Sequence, residues 1–254
     1  MILTEQDLKY IITESVKRIL SEAQNLVDNF DKVLNIMEFN SDDDFYFVQI
    51  IKRYKDNPND DRSKGNYHAG GWYLKSWRVR SADELLKLKP EIIKWCEDNN
   101  ARAYISINYR SEKGTNDFIK IYKAKYPSYD ARHIHADEII PGQAKTGKAW
   151  KGQRKRLFLD IDCPKTQKGN DGLPIWDKVR FMLQMAGIKP LFEYETSSGG
   201  LHIVLPDKED RKLYQLKKDF RWFDGGHDRG KLATVHANED GKIILYSNVK
   251  TKGY

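Results

Sequence analysis

Apolar and polar positions alternate along this chain with two distinct periods, and the period separates helices from strands. Over residues 4–20, Leu8, Ile11, Ile12, Ser15, Val16, Ile19 and Leu20 form one stripe at helical spacing. Lys9, Glu14, Lys17, Arg18 and Glu22 occupy the opposite side, and Thr4 with Asp7 gives a capping-box-like start. Helical character continues over 21–40 through Leu26, Phe30, Val33, Leu34 and Met37. The run Asn40-Ser-Asp-Asp-Asp44 then marks a boundary of capping or solvated charges. Residues 45–51 are apolar but for Gln49, which fits a buried strand or a short helix; periodicity does not choose between them. The polar stretch 56–71 is predicted as a loop. Residues 72–79 alternate as a strand does, Trp72, Leu74 and Ser76 against Tyr73, Lys75 and Trp77. Ser81 then caps a helix to about residue 98, with Leu85, Leu88, Ile92, Trp95 and Cys96 inward. A strand over 103–109 and a helix over 115–124 follow.

The second half is organised around residues 154–206. Leu157-Phe-Leu-Asp-Ile-Asp162 is an apolar strand ending in two aspartates. Strand side chains alternate, so Phe158, Asp160 and Asp162 share one face while Leu157, Leu159 and Ile161 share the other. A polar loop over 162–173 leads to a helix over 175–186, stopped by Gly187. A strand over 191–195 runs into the turn Ser198-Gly-Gly200, and 201–205 forms a second strand. There His202 and Val204 point one way, and Leu201, Ile203 and Leu205 the other. A helix over 208–220, a Gly-rich loop over 224–230 and a final hairpin, 232–237 with 242–248, complete the expected elements.

Composition changes this picture modestly. A chain of 254 residues fits one large domain or two small ones. Net charge is +7 and the pI about 9.1, a balance suited to a polyanion such as nucleic acid. Mean hydropathy is −0.74, and no apolar run approaches the roughly 20 residues of a membrane span. The start lacks a signal-peptide pattern. Two cysteines, Cys96 and Cys163, make neither a disulfide framework nor a Cys-x-x-Cys zinc site, so a reducing cytoplasmic setting is expected. The connection 126–155 is long for a compact domain and rich in Lys, Gly and His, which points to function or mobility. Its end carries Lys145, Lys148, Lys151, Arg154, Lys155 and Arg156.

Two short pieces carry candidate chemistry. Asp160 and Asp162 at a strand's end are close enough to hold one or two divalent cations, and Mg2+ prefers carboxylate oxygens and substrate phosphates. In Ser198-Gly199-Gly200, the missing Cβ atoms would let backbone N–H groups approach an anion.

A diacidic strand, a helix, then a hairpin carrying Ser198-Gly-Gly-Leu-His202: that order resembles the archaeo-eukaryotic primase superfamily, including its phage and plasmid primase-polymerases. The resemblance covers roughly residues 45 to 254. It implies an α+β fold: a primase-polymerase-like (RRM-like) catalytic sheet, helices on one face and the other face open to substrate. An N-terminal helical segment (1–40) would precede a catalytic domain (41–254). The implied activity is metal-dependent, template-directed nucleotidyl transfer with Mg2+ or Mn2+, from NTP or dNTP on single-stranded DNA, with a replicative helicase as a further partner. Asp160, Asp162 and His202 would be catalytic. Ser198, Gly199, Gly200 and His202 would bind the triphosphate, and Asp160, Asp162 and a third residue would hold metal. Asp240 is placed third, with Asp228 and His236 as rivals; Asp240-Gly241 is equally a favoured hairpin turn. Arg110, Lys145, Lys148, Lys151 and Arg154 are candidate contacts to phosphate or template. The opening segment also resembles one found on many proteins of phages that infect gut Bacteroidetes, which implies a docking or packaging tag and a phage or host-cell setting, with virion association as an alternative.

Two other classes fit parts of the pattern. His133-Ile-His135 has the spacing of the metal pair of a rolling-circle nickase, but no upstream acidic strand accompanies it. A non-catalytic nucleic-acid-binding module on a primase fold would retain the charge; the intact Asp-x-Asp and Ser-Gly-Gly-x-His argue against it.

Overall fold

The computed structural model describes residues 26–37, 44–63, 67–68, 70–108, 110–125, 127, 156–169, 171–196, 199–207, 235–238 and 241–249. The expected helix at 4–20, the helix at 208–220, the Gly-rich loop at 224–230 and nearly all of the connection 126–155 lie outside them. So do Ser198, His133, His135, Lys145, Lys148, Lys151, Arg154, Asp228 and Asp240.

Within the described residues the fold is α+β: two antiparallel sheets and four α-helices. The larger sheet is built from β1 (Leu26–Asp28), β2 (Asp44–Arg53), β3 (Tyr67–His68), β4 (Gly71–Val79), β5 (Arg102–Ser106), β6 (Arg110–Ser111) and β11 (Lys242–Asn248). Its order is β1-β11-β5-β2-β4-β3, with β6 pairing β2. The ambiguous apolar run becomes β2, flanked by β5 and β4; a strand covered on both faces needs no polar alternation. The helices are α1 (Phe30–Ile36), α2 (Ala82–Asn99), α3 (Glu112–Lys125) and α4 (Ile175–Met185). As expected, Ser81 caps α2, its Oγ accepting the Glu84 N–H at 3.1 Å. Leu85, Ile92 and Cys96 of α2 are buried in the main core.

The smaller sheet is built from β7 (Arg156–Ile161), β8 (Phe192–Glu195), β9 (Leu201–Asp207) and β10 (Val235–Asn238), in the order β10-β7-β9-β8. β7, α4 and β8 form a split β-α-β unit, because β9 inserts between β7 and β8 and runs antiparallel to both. One face packs on α4: Leu157, Leu159, Ile161, Leu201, Ile203 and Leu205 meet Ile175, Trp176, Val179 and Leu183. The alternation read from residues 157–162 and 201–205 is therefore the alternation observed. The opposite face was expected to lie open. Most of it instead packs on the larger sheet, where Phe158, Phe192, Tyr194 and Val204 join one core with Ile105, Ile243 and Leu245. Among the described residues its acidic end, with Asp160 and Asp162, is accessible.

Three expectations are corrected. Residues 26–36 are not one continuous helix: β1 pairs Leu26 with Asn248, Val27 with Ser247 and Asp28 with Tyr246, and α1 buries Phe30 and Val33 completely. This part of the 1–40 segment thus belongs to the larger sheet. The final hairpin does not form either. β10 pairs β7 in the smaller sheet, whereas β11 pairs β5 and β1 in the larger one. Gly241 lies where the chain crosses between sheets, and its carbonyl accepts the Ile107 N–H at 3.1 Å. Finally, the side chain of Arg110 is completely buried and so does not face a template. Arg156, from the basic stretch, is also buried; its guanidinium donates to the carbonyls of Ile36 and Ile107, and its backbone pairs with the Asn108 amide. Both guanidiniums lie inside the fold. No described helix is long and apolar enough to cross a membrane.

Candidate active site

Strand register decides which residues meet. On β7 and β9, Asp160 stands opposite His202. On β9 and β8, His202 stands opposite Tyr194. On β7 and β10, Asp160 stands opposite His236. Directly opposed residues share a sheet face. The register therefore forms one row across β7, β9 and β8 (Asp160, His202 and Tyr194), and His236 stands opposite Asp160 by backbone register.

The three members of the row are in side-chain contact. His202 Nε2 lies 3.2 Å from Asp160 Oδ1. His202 Nδ1 lies 2.6 Å from the Tyr194 hydroxyl, which also accepts the Ile244 N–H at 2.7 Å. The His202 ring is held edge-on by two aromatics, Phe158 at 4.8 Å and Tyr194 at 5.0 Å between centroids. Tyr194 stacks in turn on Phe192 at 5.1 Å. Exposure rises along the chain: Tyr194 is buried, the His202 side chain is 13% exposed and that of Asp160 42%. Burial above all holds the Tyr194 phenol well above its ordinary pKa, so it stays protonated.

The supporting N–H comes from the other sheet. The β11–β5 ladder is irregular between Ile244 and Tyr246. At that irregularity the Ile244 N–H turns to Tyr194, while the Ile244 and Leu245 carbonyls accept from the Asn29 side chain and backbone. Bulges commonly redirect groups in this way beside functional sites.

Asp162 follows β7 and is exposed, on the Asp160 face by alternation. Lys55 follows β2 in a short 3-10 turn, Tyr54–Asp56. Its amine sits below its ordinary pKa, chiefly through burial and then through Arg102, while the charges of Asp56 and, last, Asp162 pull it the other way. Arg102 itself is committed to a buried bidentate pair with Asp56, at 2.9 and 2.7 Å.

The turn between β8 and β9 departs from expectation. The Gly199 N–H donates to the Thr196 carbonyl at 2.8 Å, and the Gly200 N–H to Thr196 Oγ1 at 2.9 Å. Both amides expected to cradle an anion are thus occupied within the turn. The two glycines have backbone reasons to be there. Gly199 has φ of +83°, which favours glycine. A Cβ on Gly200 would approach the Ile161 carbonyl oxygen to 2.8 Å, so glycine lets the turn close on β7.

Two carboxylates on one face, one exposed and one half-exposed, fit a hard cation that also keeps substrate oxygens and water. In this arrangement the His202 ring faces the Asp160 carboxylate at 3.2 Å. No group of three or more His, Cys, Asp and Glu side chains converges among the described residues. Of the three residues considered as third ligand, Asp228 and Asp240 lie outside the described residues; His236 is placed by backbone register opposite Asp160. Compared with family models, curated proteins and solved structures, the chain matches none.

Tyr194 was not singled out from the sequence, although counting could have found it. Thr196 and Gly200 close the turn as a pair, and stepping outward gives Glu195 with Leu201, then Tyr194 with His202.

Proposed function

We propose that this chain is a metal-dependent, template-directed nucleotidyltransferase of primase-polymerase type. One observation carries the reading: Asp160 of the diacidic strand and His202 of the Ser-Gly-Gly-x-His hairpin stand opposite each other on the two central strands of one sheet. Asp160 and His202 are 42 residues apart in sequence. Their direct pairing is what a shared site requires. The order β10-β7-β9-β8 with its split β-α-β unit also supports the RRM-like sheet that the resemblance implies.

In this reading Asp160 and Asp162 hold Mg2+ or Mn2+, which stabilises the attacking and leaving oxygens of the displacement. The chain's own groups do the rest. His202 offers a ring N–H toward a phosphate oxygen at the accessible end of the row. Ser198, which precedes Gly199 in the sequence, is the expected triphosphate contact of the motif. Lys55 supplies positive charge that Asp162 feels, and Lys145, Lys148, Lys151 and Arg154 bind the phosphates of a single-stranded DNA template. The substrates are NTP or dNTP, a replicative helicase is the expected partner, and the setting is the bacterial or phage-infected cytoplasm.

The test is synthesis on single-stranded DNA with labelled NTPs or dNTPs and Mg2+ or Mn2+. The wild-type chain is expected to make new strands. Asp160→Asn and Asp162→Asn are expected to reduce synthesis to background with the far-ultraviolet circular dichroism unchanged. Full activity in either variant would remove the metal assignment. Covalent tyrosyl-DNA in place of new strands would identify a nickase, and template binding with neither product a non-catalytic module.

A further inference from the structure

We propose that Tyr194 is a positioning residue: its hydroxyl sets the tautomer of His202, so that His202 presents Nε2–H to the mouth of the site and steadies the Asp160 carboxylate. This inference rests on the proposed role of Asp160 and names a residue that the family-type motifs do not contain.

The argument is a count of donors and acceptors along one chain. The Ile244 N–H is a fixed donor, and it points at the Tyr194 oxygen from 2.7 Å. That oxygen therefore accepts from the backbone. The phenol still has one proton to donate, and it is buried. A buried donor without an acceptor is costly. The contact facing it is His202 Nδ1, at 2.6 Å. Nδ1 must then be the unprotonated nitrogen of the neutral ring, which puts the ring proton on Nε2. Nε2 faces Asp160 Oδ1 at 3.2 Å, so its N–H has a carboxylate to meet. With protons assigned this way, every donor in the chain has an acceptor. The other tautomer would strand the Tyr194 proton and set the Nε2 lone pair against a carboxylate oxygen.

The consequence concerns chemistry at the mouth. With Nε2 protonated, His202 has one N–H at the mouth, which Asp160 and an incoming phosphate oxygen would share or compete for, and it is not a metal ligand through that nitrogen. The direction is fixed from the other sheet, through the Ile244 N–H at the β11 irregularity. The packing of the two sheets therefore sets the hydrogen-bonding character of the site.

The first measurement is the long-range nitrogen–proton spectrum of His202 in the metal-free wild-type protein at pH 8, where an ordinary imidazole is neutral. Nδ1 is expected at the shift of an unprotonated ring nitrogen and Nε2 at that of a protonated one. The reverse pattern, or equal populations, would overturn the proposal. Tyr194→Phe keeps the ring between Phe192 and His202 and removes the hydroxyl. It is expected to mix the tautomers, and to lower Mn2+ affinity or kcat by about tenfold with template affinity unchanged, as loss of a ligand's supporting hydrogen bond does. An unaltered tautomer in that variant would also overturn it. The wild-type spectrum needs neither the variant nor activity. If the tautomer is as expected but the chain makes no new strands, the proposed function fails while the assignment of Tyr194 stands.

Discussion

Gly241 shows how a single residue can be set by a contact far away in sequence. Read locally, Asp240-Gly241 is a hairpin turn. In the fold, a Cβ at Gly241 would overlap the Cβ and ring of Phe158, which is itself buried against His202. The overlap is at the root of that side chain, so rotating the ring does not relieve it. Gly241→Ala is therefore expected to destabilise the protein by about 1–3 kcal/mol, the usual cost of overpacking a core, as read from urea unfolding. The same urea curve for Gly172→Ala makes the contrast: Gly172 has open space around its Cβ position, and only its φ of +77° is strained. A smaller loss for Gly241 than for Gly172 would show that Phe158 does not need the glycine. Arg110 and Arg156 teach the same lesson in reverse. Basic residues near a candidate site read as phosphate contacts, yet both are buried, and Arg156 satisfies backbone carbonyls.

Elements with strong local signals formed where the pattern put them. Helix α2 has a serine cap, an apolar stripe and an Asn100 stop at φ of +47°. The Ser81 hydroxyl accepts from the Glu84 N–H, and the Glu84 carboxylate accepts from the Arg80 N–H at 2.5 Å, one residue before the cap. Ser81→Ala is expected to cost about 1 kcal/mol, read as a lower midpoint at unchanged slope; no change would mean that Glu84 alone holds that end. The strands of the smaller sheet were legible for the same reason, since period-two alternation is local. The 26–28 strand was not. Three residues carry too little periodicity, and Leu26–Asp28 is a strand only because β11 lies beside it. The two strands β10 and β11 were recognised, but their partners were not, because sequence neighbours usually pair and these two join different sheets.

At the scale of the whole molecule, the excess of 44 basic over 37 acidic residues is the feature that a polyanion would feel. Lys145, Lys148 and Lys151 belong to the basic run that precedes the diacidic strand in the sequence. Replacing all three by glutamine should weaken single-stranded DNA binding and reduce the slope of log affinity against log salt by about 2, since each lost phosphate contact removes about 0.7. Fluorescence anisotropy at a series of salt concentrations reads both. An unchanged slope would take this stretch off the template path, and the site built on Asp160 and His202 would need another route for the strand.

What could be read without a fold was whatever depends on neighbours in sequence. The caps, the alternation that placed Asp160 with Phe158, and the alternation that placed His202 with Val204 are all of this kind. The Asp-x-Asp and Ser-Gly-Gly-x-His pieces were also legible as chemistry. Their pairing, the exposed end of an otherwise buried face, the burial of Arg110 and the part played by Tyr194 required the tertiary structure. Each depends on strand register or on one sheet packing against the other. Register is set by contacts between segments distant in sequence, and a shift of one residue would move His202 to the opposite face.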